Sequence, residues 1–121
     1  MPIAIEGGYN YSGAVTADGI IYTWGNGSFG RLGYVDILKQ PVPRQLTELK
    51  TKKITRLALG FYHAAAIDDQ GVVYSWGRGN SGQLGCGNVL SEDCVKPVNT
   101  LANNFIVDIH CGEAHTVALS K

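Results

Sequence analysis

The strongest constraint on the fold is an internal repeat, because the chain aligns with itself after a shift of 52 residues. Residues 8–33 fall on residues 60–85 without a gap, and ten of these 26 positions are identical, Trp24 and Trp76 among them. A third copy begins at Gly112, since residues 112–119 match the pattern of residues 60–67. Periods of this order mark solenoids, propellers and other arrays. We therefore predict a single repeat region over residues 1–121, with repeat 1 at 8–59, repeat 2 at 60–111 and the start of repeat 3 at 112–121.

Each repeat has the pattern of β-structure. The segments Ile20–Trp24 and Val72–Trp76 are rich in β-branched and aromatic residues and are bounded by glycine. Asp18 and Gly19 lie between two apolar runs, which is typical of a hairpin turn. The other predicted strands are Ile3–Glu6, Ser12–Thr16, Pro43–Leu46, Ile54–Leu59, Ala64–Asp68, Lys96–Leu101, Ile106–Cys111 and Thr116–Ser120. The pattern indicates four strands per repeat and predicts no helix.

A four-stranded antiparallel unit that recurs along a chain is a propeller blade. The predicted strands make about two and a half blades, so we expect an all-β open arc of a propeller or part of an assembled ring. Trp24 and Trp76 are expected to pack between blades, where a large flat side chain buries much area. The alanines at 64–66 are expected in the strand nearest the axis. Each end of the chain is expected to offer a half-blade with an open edge that invites strand pairing.

Two segments resemble the repeat of the regulator of chromosome condensation family: Asp18–Gly33 and Gln70–Gly85. Two later segments, Gly60-x-x-His63 and Gly112-x-x-His115, are similar to a second signature of that repeat. The resemblance implies a propeller that is usually seven-bladed. The residues that carry this structural motif are Gly8, Gly19, Trp24, Gly25, Gly30, Gly33, Gly60, His63, Gly71, Trp76, Gly77, Gly82, Gly85, Gly112 and His115.

The glycines also form two G-x-G-x-x-G patterns, at residues 25–30 and 77–82. A dinucleotide site needs a helix directly after this pattern, and no helical run follows either copy. We therefore interpret these glycines as turn residues and expect no cofactor.

His63 and His115 each stand three residues after a glycine, and Tyr11 occupies the same phase in the first repeat. His110 and Cys111 are adjacent and face opposite sides of a strand, so converging metal ligands are not expected. We predict instead a buried ring that bonds to loop backbone. No nucleophile elbow or P-loop is present, so we do not expect an enzyme or catalytic residues.

Charge and cysteine content limit the classes of partner and the cellular location that we expect. Ten Lys and Arg residues balance ten Asp and Glu residues, which argues against a nucleic-acid or anionic-membrane surface. No apolar run approaches the roughly 20 residues of a membrane span, and no signal peptide precedes the first predicted strand. Three cysteines cannot all pair within one chain, so a cytoplasmic or nuclear location is expected.

These patterns favour a protein-interaction or scaffolding module, because propellers present variable loops on a rigid frame. We expect this module to be a fragment of a larger propeller protein. Candidate partner contacts are Phe29, Arg31, Tyr34, Asp36, Glu92 and Asp93, with Phe29 and Tyr34 as anchors. The resemblance also implies an alternative, nucleotide exchange on a small GTPase, as the founding member of the family performs for Ran. That member uses a protruding hairpin, and no insertion interrupts either repeat here. A third hypothesis is self-assembly into a ring through the open half-blade edges.

Overall fold

The computed structural model describes residues 2–27, 31–33, 39–78, 92–98, 101 and 103–121, and these residues form an all-β fold. Blade I contains β1 (Pro2–Gly7), β2 (Tyr11–Thr16), β3 (Ile21–Asn26) and β4 (Lys39–Gln45). Blade II contains β5 (Ile54–Leu59), β6 (His63–Asp68), β7 (Val73–Gly77) and β8 (Glu92–Pro97). Blade III contains β9 (Ile106–Cys111) and β10 (Thr116–Ser120). A 3-10 turn, Thr47–Leu49, follows blade I.

Every sheet is antiparallel and keeps the order of the chain, which confirms the predicted blades. The hairpins between the second and third strands are tight. Gly19 and Gly71 lie at φ of 83° and 76°, a backbone conformation that glycine adopts at little cost. The carbonyl of each glycine also accepts the N–H of the first residue of the next blade, Ile54 at 3.0 Å and Ile106 at 3.1 Å. The glycine repeat therefore serves both the turn and the docking of the following blade.

The outer strands lie earlier in the chain than predicted. Pro43–Leu46 was expected, and β4 spans Lys39–Gln45; Lys96–Leu101 was expected, and β8 spans Glu92–Pro97. The reason is that an edge strand is held by backbone pairing to its neighbour, β3 or β7, and this pairing needs no apolar side chains.

Two expectations about the arrangement of the blades were wrong. Both β1 and β2 belong to the complete sheet of blade I, so among the described residues a two-stranded sheet is found only in blade III. Residues 64–66 lie in β6, the second strand of blade II, whereas the strand nearest an axis must be an edge of its sheet. These alanines are small because both neighbouring blades cover β6: Ala64 and Ala66 pack with blade I, and Ala65 packs with blade III.

The core lies between consecutive blades. We call the side of a blade that faces the preceding blade its leading face, and the opposite side its trailing face. Between blades I and II, a fully buried Trp76 packs with Val15, Ile21 and Leu57. Between blades II and III, Ile67 and Ala65 pack with Ile109 and Ile106. Each interface therefore uses the same repeat positions, which explains how a 52-residue period produces a continuous core.

Candidate functional site

The loops that join the first and second strands of the blades lie next to one another, and we call their common surface the turn face. It comprises residues 8–10, 60–62 and 112–115. A groove crosses it, and its lining residues are Gly7, Gly8, Tyr9, Leu59, Gly60, Phe61, Cys111, Gly112 and Glu113. The turn face is the most aromatic exposed surface that the structure describes.

Two aromatic rings stand on the turn face and stack on each other. The centroids of Tyr9 and Phe61 are 5.3 Å apart with an interplanar angle of 21°. The two residues are 48% and 39% exposed. Tyr62 meets Tyr9 edge-on at 5.8 Å, which fixes the stack from one side. The result is an aromatic platform in solvent, in which each ring is in contact with another.

Two arginines support this platform. The guanidinium carbon of Arg31 lies 4.5 Å from the ring centre of Tyr62, and that of Arg78 lies 5.5 Å from it. The Nη1 of Arg31 donates a hydrogen bond to the carbonyl of Tyr9 at 2.8 Å. The backbone N–H of Arg78 donates to the carbonyl of Tyr62, also at 2.8 Å. Cation–π contacts and hydrogen bonds thus hold both turns in place.

Arg31 was predicted as a partner contact, and the structure places it in the interior. It is 3% exposed, and its own carbonyl accepts a hydrogen bond from Trp76 Nε1 at 3.0 Å. Burial lowers the pKa of its guanidinium below the ordinary value. Arg31 therefore shapes the turn face from beneath, and its direct contact with a partner stays a prediction.

The other predicted contacts are placed only in part. Phe29, Tyr34 and Asp36 lie outside the described residues, as do the motif glycines Gly30, Gly82 and Gly85. Glu92 and Asp93 begin β8, and the description of that segment covers its backbone only. These partner contacts stay predictions.

The side-chain rings of Tyr11 and His63, which occupy the same position in consecutive repeats, each link one blade to the next. The hydroxyl of Tyr11 donates to two carbonyls of blade II, Gly60 at 2.8 Å and His63 at 2.5 Å. One repeat later, Nε2 of His63 lies 3.2 Å from the carbonyl of His115 in blade III. We call these contacts the ring clasp. The structure thus gives His63 the buried, backbone-bonded role that the sequence predicted, and Tyr11 has the same role. The prediction of a buried ring was wrong for His115, which is exposed.

Burial determines which atoms carry protons in the ring clasp. Burial lowers the pKa of His63, so the neutral ring is favoured. Its Nδ1 is buried and has no hydrogen-bond partner among the described residues, which places the proton on Nε2, facing the carbonyl of His115. Burial likewise raises the pKa of Tyr11, so its hydroxyl remains a donor.

Removing one hydroxyl tests the ring clasp. We expect Tyr11→Phe to lower the free energy of unfolding by about 1–2 kcal/mol, because two buried carbonyls lose a donor. Urea denaturation followed by circular dichroism measures the change. Tyr9→Phe is the matched control, since its ring is 48% exposed and its expected change is within about 0.5 kcal/mol. Equal losses in the two variants would contradict the clasp.

The described part of the chain also bears on metal binding, on cysteine chemistry and on membrane insertion. No group of three His, Cys, Asp or Glu side chains there is placed to hold a metal ion. Burial raises the pKa of Cys111 to about 11, so its thiol stays protonated at neutral pH. Among the described residues, no helix is long and apolar enough to cross a bilayer.

Sequence reasoning did not single out Tyr9, Phe61, Tyr62 or Arg78. A signal was available, because an aromatic residue directly follows the motif glycine in two consecutive repeats, at Tyr9 and Phe61. Adjacent blades bring equal repeat positions together, so two such residues must become neighbours on one face.

Comparison with known proteins gives a consistent result. The family model described as "Regulator of chromosome condensation (RCC1) repeat" matches residues 18–67 and 70–119, and a second model of the same description matches residues 54–83. The E3 ubiquitin-protein ligase HERC2 of Homo sapiens is 35% identical over 120 residues, which are 98% of this chain and 2% of the ligase. The Ultraviolet-B receptor UVR8 of Arabidopsis thaliana is 34% identical over 117 residues, 97% of this chain and 27% of the receptor.

A solved structure shows the same fold. Prp20p from Saccharomyces cerevisiae superposes with a TM-score of 0.88 at 21% sequence identity. The superposition covers 99% of this chain and 31% of Prp20p. The chain thus spans a small part of each of these similar proteins, and the similarity lies in the propeller blades.

Proposed function

Because the chain belongs to the regulator of chromosome condensation (RCC1) repeat family, we propose that it is a protein-interaction module and that its turn face binds the partner. In this proposal the blades supply the rigid frame, and the residues that vary between repeats at the turns supply the contacts. Binding without catalysis is proposed for the chain itself.

The observation that carries the proposal is the exposed stack of Tyr9 on Phe61. Aromatic side chains supply much of the binding energy of protein interfaces when they are held in place before the partner arrives. Here Tyr62 and Arg31 hold the stack, so little side-chain entropy remains to be lost on binding.

The pattern within the repeats supports the same assignment. The ring clasp position keeps a hydrogen-bonding ring in all three repeats, as Tyr11, His63 and His115. The position directly after the motif glycine changes from Tyr9 to Phe61 to Glu113. A position that is free of the packing requirement and points to solvent is suited to a role in recognition.

The proposal is tested by removing both rings. We expect Tyr9→Ser/Phe61→Ser to bind a partner at least tenfold more weakly, because two hot-spot side chains of this kind contribute more than about 1.4 kcal/mol. The partner is isolated from cell extract on the immobilised chain, then purified and titrated against each variant by calorimetry.

The matched control is Val42→Ser/Val72→Ser, which removes two other exposed apolar side chains of blades I and II. It is expected to bind the purified partner as the wild-type chain does. If the Tyr9 and Phe61 double variant retains wild-type affinity while its circular dichroism spectrum is unchanged, the turn face is not the binding surface.

One observation favours a second candidate, regulation of a small GTPase. Prp20p, which shares the fold, binds Gsp1p and histones. Purified Gsp1p loaded with a fluorescent nucleotide therefore serves as the probe. Faster nucleotide release at catalytic amounts of the chain would support exchange activity, and an unchanged rate would leave binding as the proposed function. The cytoplasmic or nuclear location stays a prediction.

A further inference from the structure

The groove on the turn face combines aromatic rings with a carboxylate. Tyr9, Phe61 and Glu113 all line it. They occupy one repeat position, directly after the motif glycine, so consecutive blades place them in a row. Tyr9 of blade I and Phe61 of blade II stack with their ring centres 5.3 Å apart. The next place in the row, beside Phe61, belongs to Glu113 of blade III, which has no ring to continue the stack.

One face of the Phe61 ring is therefore open to a ligand. Tyr9 stacks on the face that is turned toward blade I. The opposite face is turned toward blade III, which carries Glu113, and Phe61 remains 39% exposed. Blades II and III are joined by a buried apolar cluster, so this opening lies between two packed blades.

The floor of the groove is backbone. Gly8, Gly60 and Gly112 line it, and none of them projects a side chain into it. A floor of this kind lets the backbone of a bound segment approach closely. The groove has a volume of about 230 Å³, roughly that of eight liquid waters, so it admits one long side chain.

The charges around the groove favour a cation. Glu113 lines the groove, and Glu6 lines the adjoining cavity, which shares Cys111 with it. Both glutamates are exposed, and neither forms an ion pair with another described residue. Arg56 and Asp108 also line the adjoining cavity, but they lie 3.9 Å apart and offset each other. Two carboxylates thus remain to attract a positive group.

The chain itself shows how a guanidinium fits the aromatic rings of the turn face. The guanidinium carbons of Arg31 and Arg78 lie 4.5 Å and 5.5 Å from the ring centre of Tyr62. Neither arginine lines the groove. Arg31 is 3% exposed, and Arg78 follows β7, two strands away from β5 in the sheet of blade II. A planar guanidinium can stack on a ring and present a fork of N–H donors to a carboxylate.

We propose that the groove binds an arginine side chain of the protein partner, which stacks on the open face of Phe61 and pairs with Glu113. The inference rests on the proposed function, in which the turn face binds the partner, and it names the chemistry that the partner supplies. Tyr9 and Phe61 accept many apolar groups, whereas Glu113 selects a cation. Arginine fits better than lysine because its flat fork matches both the ring and the carboxylate.

A short peptide tests the inference without the partner. The probe is acetyl-Ala-Gly-Arg-Gly-Ala-amide, titrated into the isotope-labelled full chain and followed by nuclear magnetic resonance. We expect the backbone amide signals of Phe61, Gly112 and Glu113 to shift. The same peptide with lysine is expected to bind about threefold more weakly. The peptide with citrulline, which keeps the shape of arginine and loses its charge, is expected to bind at least about fivefold more weakly.

Two variants of the chain separate the two contacts. Glu113→Gln keeps the size of the side chain and removes its charge, so it is expected to bind the arginine peptide about fivefold more weakly and to lose the preference over citrulline. Phe61→Leu keeps an apolar side chain and removes the ring, so a loss of about threefold is expected. Asp69→Asn is the control, since it removes a carboxylate beyond the far end of β6, and it is expected to bind like the wild-type chain.

Three results overturn the inference: a titration that shifts none of these signals, a citrulline peptide that binds as well as the arginine peptide, or wild-type affinity in Glu113→Gln. Its failure can be told apart from failure of the proposed function. If Tyr9→Ser/Phe61→Ser loses the purified partner while Glu113→Gln binds it normally, the turn face is the binding surface and the arginine inference is wrong. If neither variant weakens binding of the partner, both proposals are wrong.

Discussion

Replacement of Trp76 by alanine is expected to lower the free energy of unfolding by about 3–5 kcal/mol. Trp76 is fully buried between blades I and II, and its Nε1 donates to the carbonyl of Arg31 at 3.0 Å. The substitution leaves a cavity in the interblade core and removes this hydrogen bond to the carbonyl of Arg31. Because small domains are stable by only about 5–15 kcal/mol, this loss takes the chain close to unfolding.

The equivalent tryptophan of blade I is the matched control. Trp24 lies at the same repeat phase on the leading face of blade I, where it is only partly buried. Trp24→Ala removes the same atoms, and we expect it to cost less than half as much, because a partly solvated site loses less transfer free energy and leaves no closed cavity.

Urea denaturation at low chain concentration measures both variants, with circular dichroism as the signal. A third variant, Trp76→Phe, keeps most of the apolar area and removes the donor, so its expected loss lies between the other two. If Trp76→Ala and Trp24→Ala lose the same stability, the interblade position of Trp76 is not what stabilises the fold.

The strands could be predicted from the sequence where side chains alternate between two packed faces. Ile54–Leu59 and Ile106–Cys111 have the predicted bounds, since most of their apolar positions are ones that adjacent blades bury. Thr116–Ser120 also has the predicted bounds, although its Val117 and Leu119 are exposed. The shared position in the repeat also predicted the backbone-bonded ring of His63, and the ring of Tyr11 bonds in the same way, because in both cases the next blade presents a carbonyl to the ring.

The prediction failed where pairing depends on the backbone rather than on side-chain pattern. The predicted strand Pro43–Leu46 overlaps only the end of β4, because the first part of Lys39–Gln45 is exposed and is held by its neighbour β3. The alanines at 64–66 indicated close packing, but the sequence does not say whether the crowding comes from the axis or from two flanking blades.

The candidate site is formed by contacts between residues of different repeats. The spacing of these residues in the sequence does not show that they meet. The burial of Arg31 beneath Tyr9 and Tyr62 joins residues from two blades. A reading of one repeat at a time treats Arg31 as a loop residue. Superposing the repeats on adjacent blades, instead of aligning them only in sequence, would have identified the Tyr9–Phe61 platform.

Replacement of Gly60 by alanine is the second large effect that we expect. A Cβ at Gly60 would collide with the imidazole of His63 and would lie 2.5 Å from the carbonyl oxygen of Gly112. Both groups are part of the interface with blade III, and His63 is fully buried. Relief requires the ring to move away from the carbonyl of His115, so we expect a loss of about 1–3 kcal/mol from overpacking and about 1 kcal/mol from the broken hydrogen bond.

Gly112→Ala distinguishes this cause from a general cost of losing glycine. Gly112 has the same repeat phase, and the three atoms nearest to a Cβ there all belong to the ring of His115, which is exposed and can turn aside. We expect its loss, measured by urea denaturation, to be within about 0.5 kcal/mol. Gly8→Ala, whose Cβ would meet the buried ring of Tyr11 and the carbonyl of Gly60, is expected to resemble Gly60→Ala.

A double-mutant cycle separates the two collisions. If the ring of His63 is the main obstacle, then Gly60→Ala costs much less in a His63→Ala background than in the wild-type chain, because the new Cβ fills space that the imidazole has left. If the cost is the same in both backgrounds, the carbonyl of Gly112 is the obstacle, and the glycine is required for the approach of the next blade. A Gly60→Ala variant with wild-type stability would contradict both explanations. It would mean that neither the ring of His63 nor the carbonyl of Gly112 lies as close to Gly60 as the structure shows.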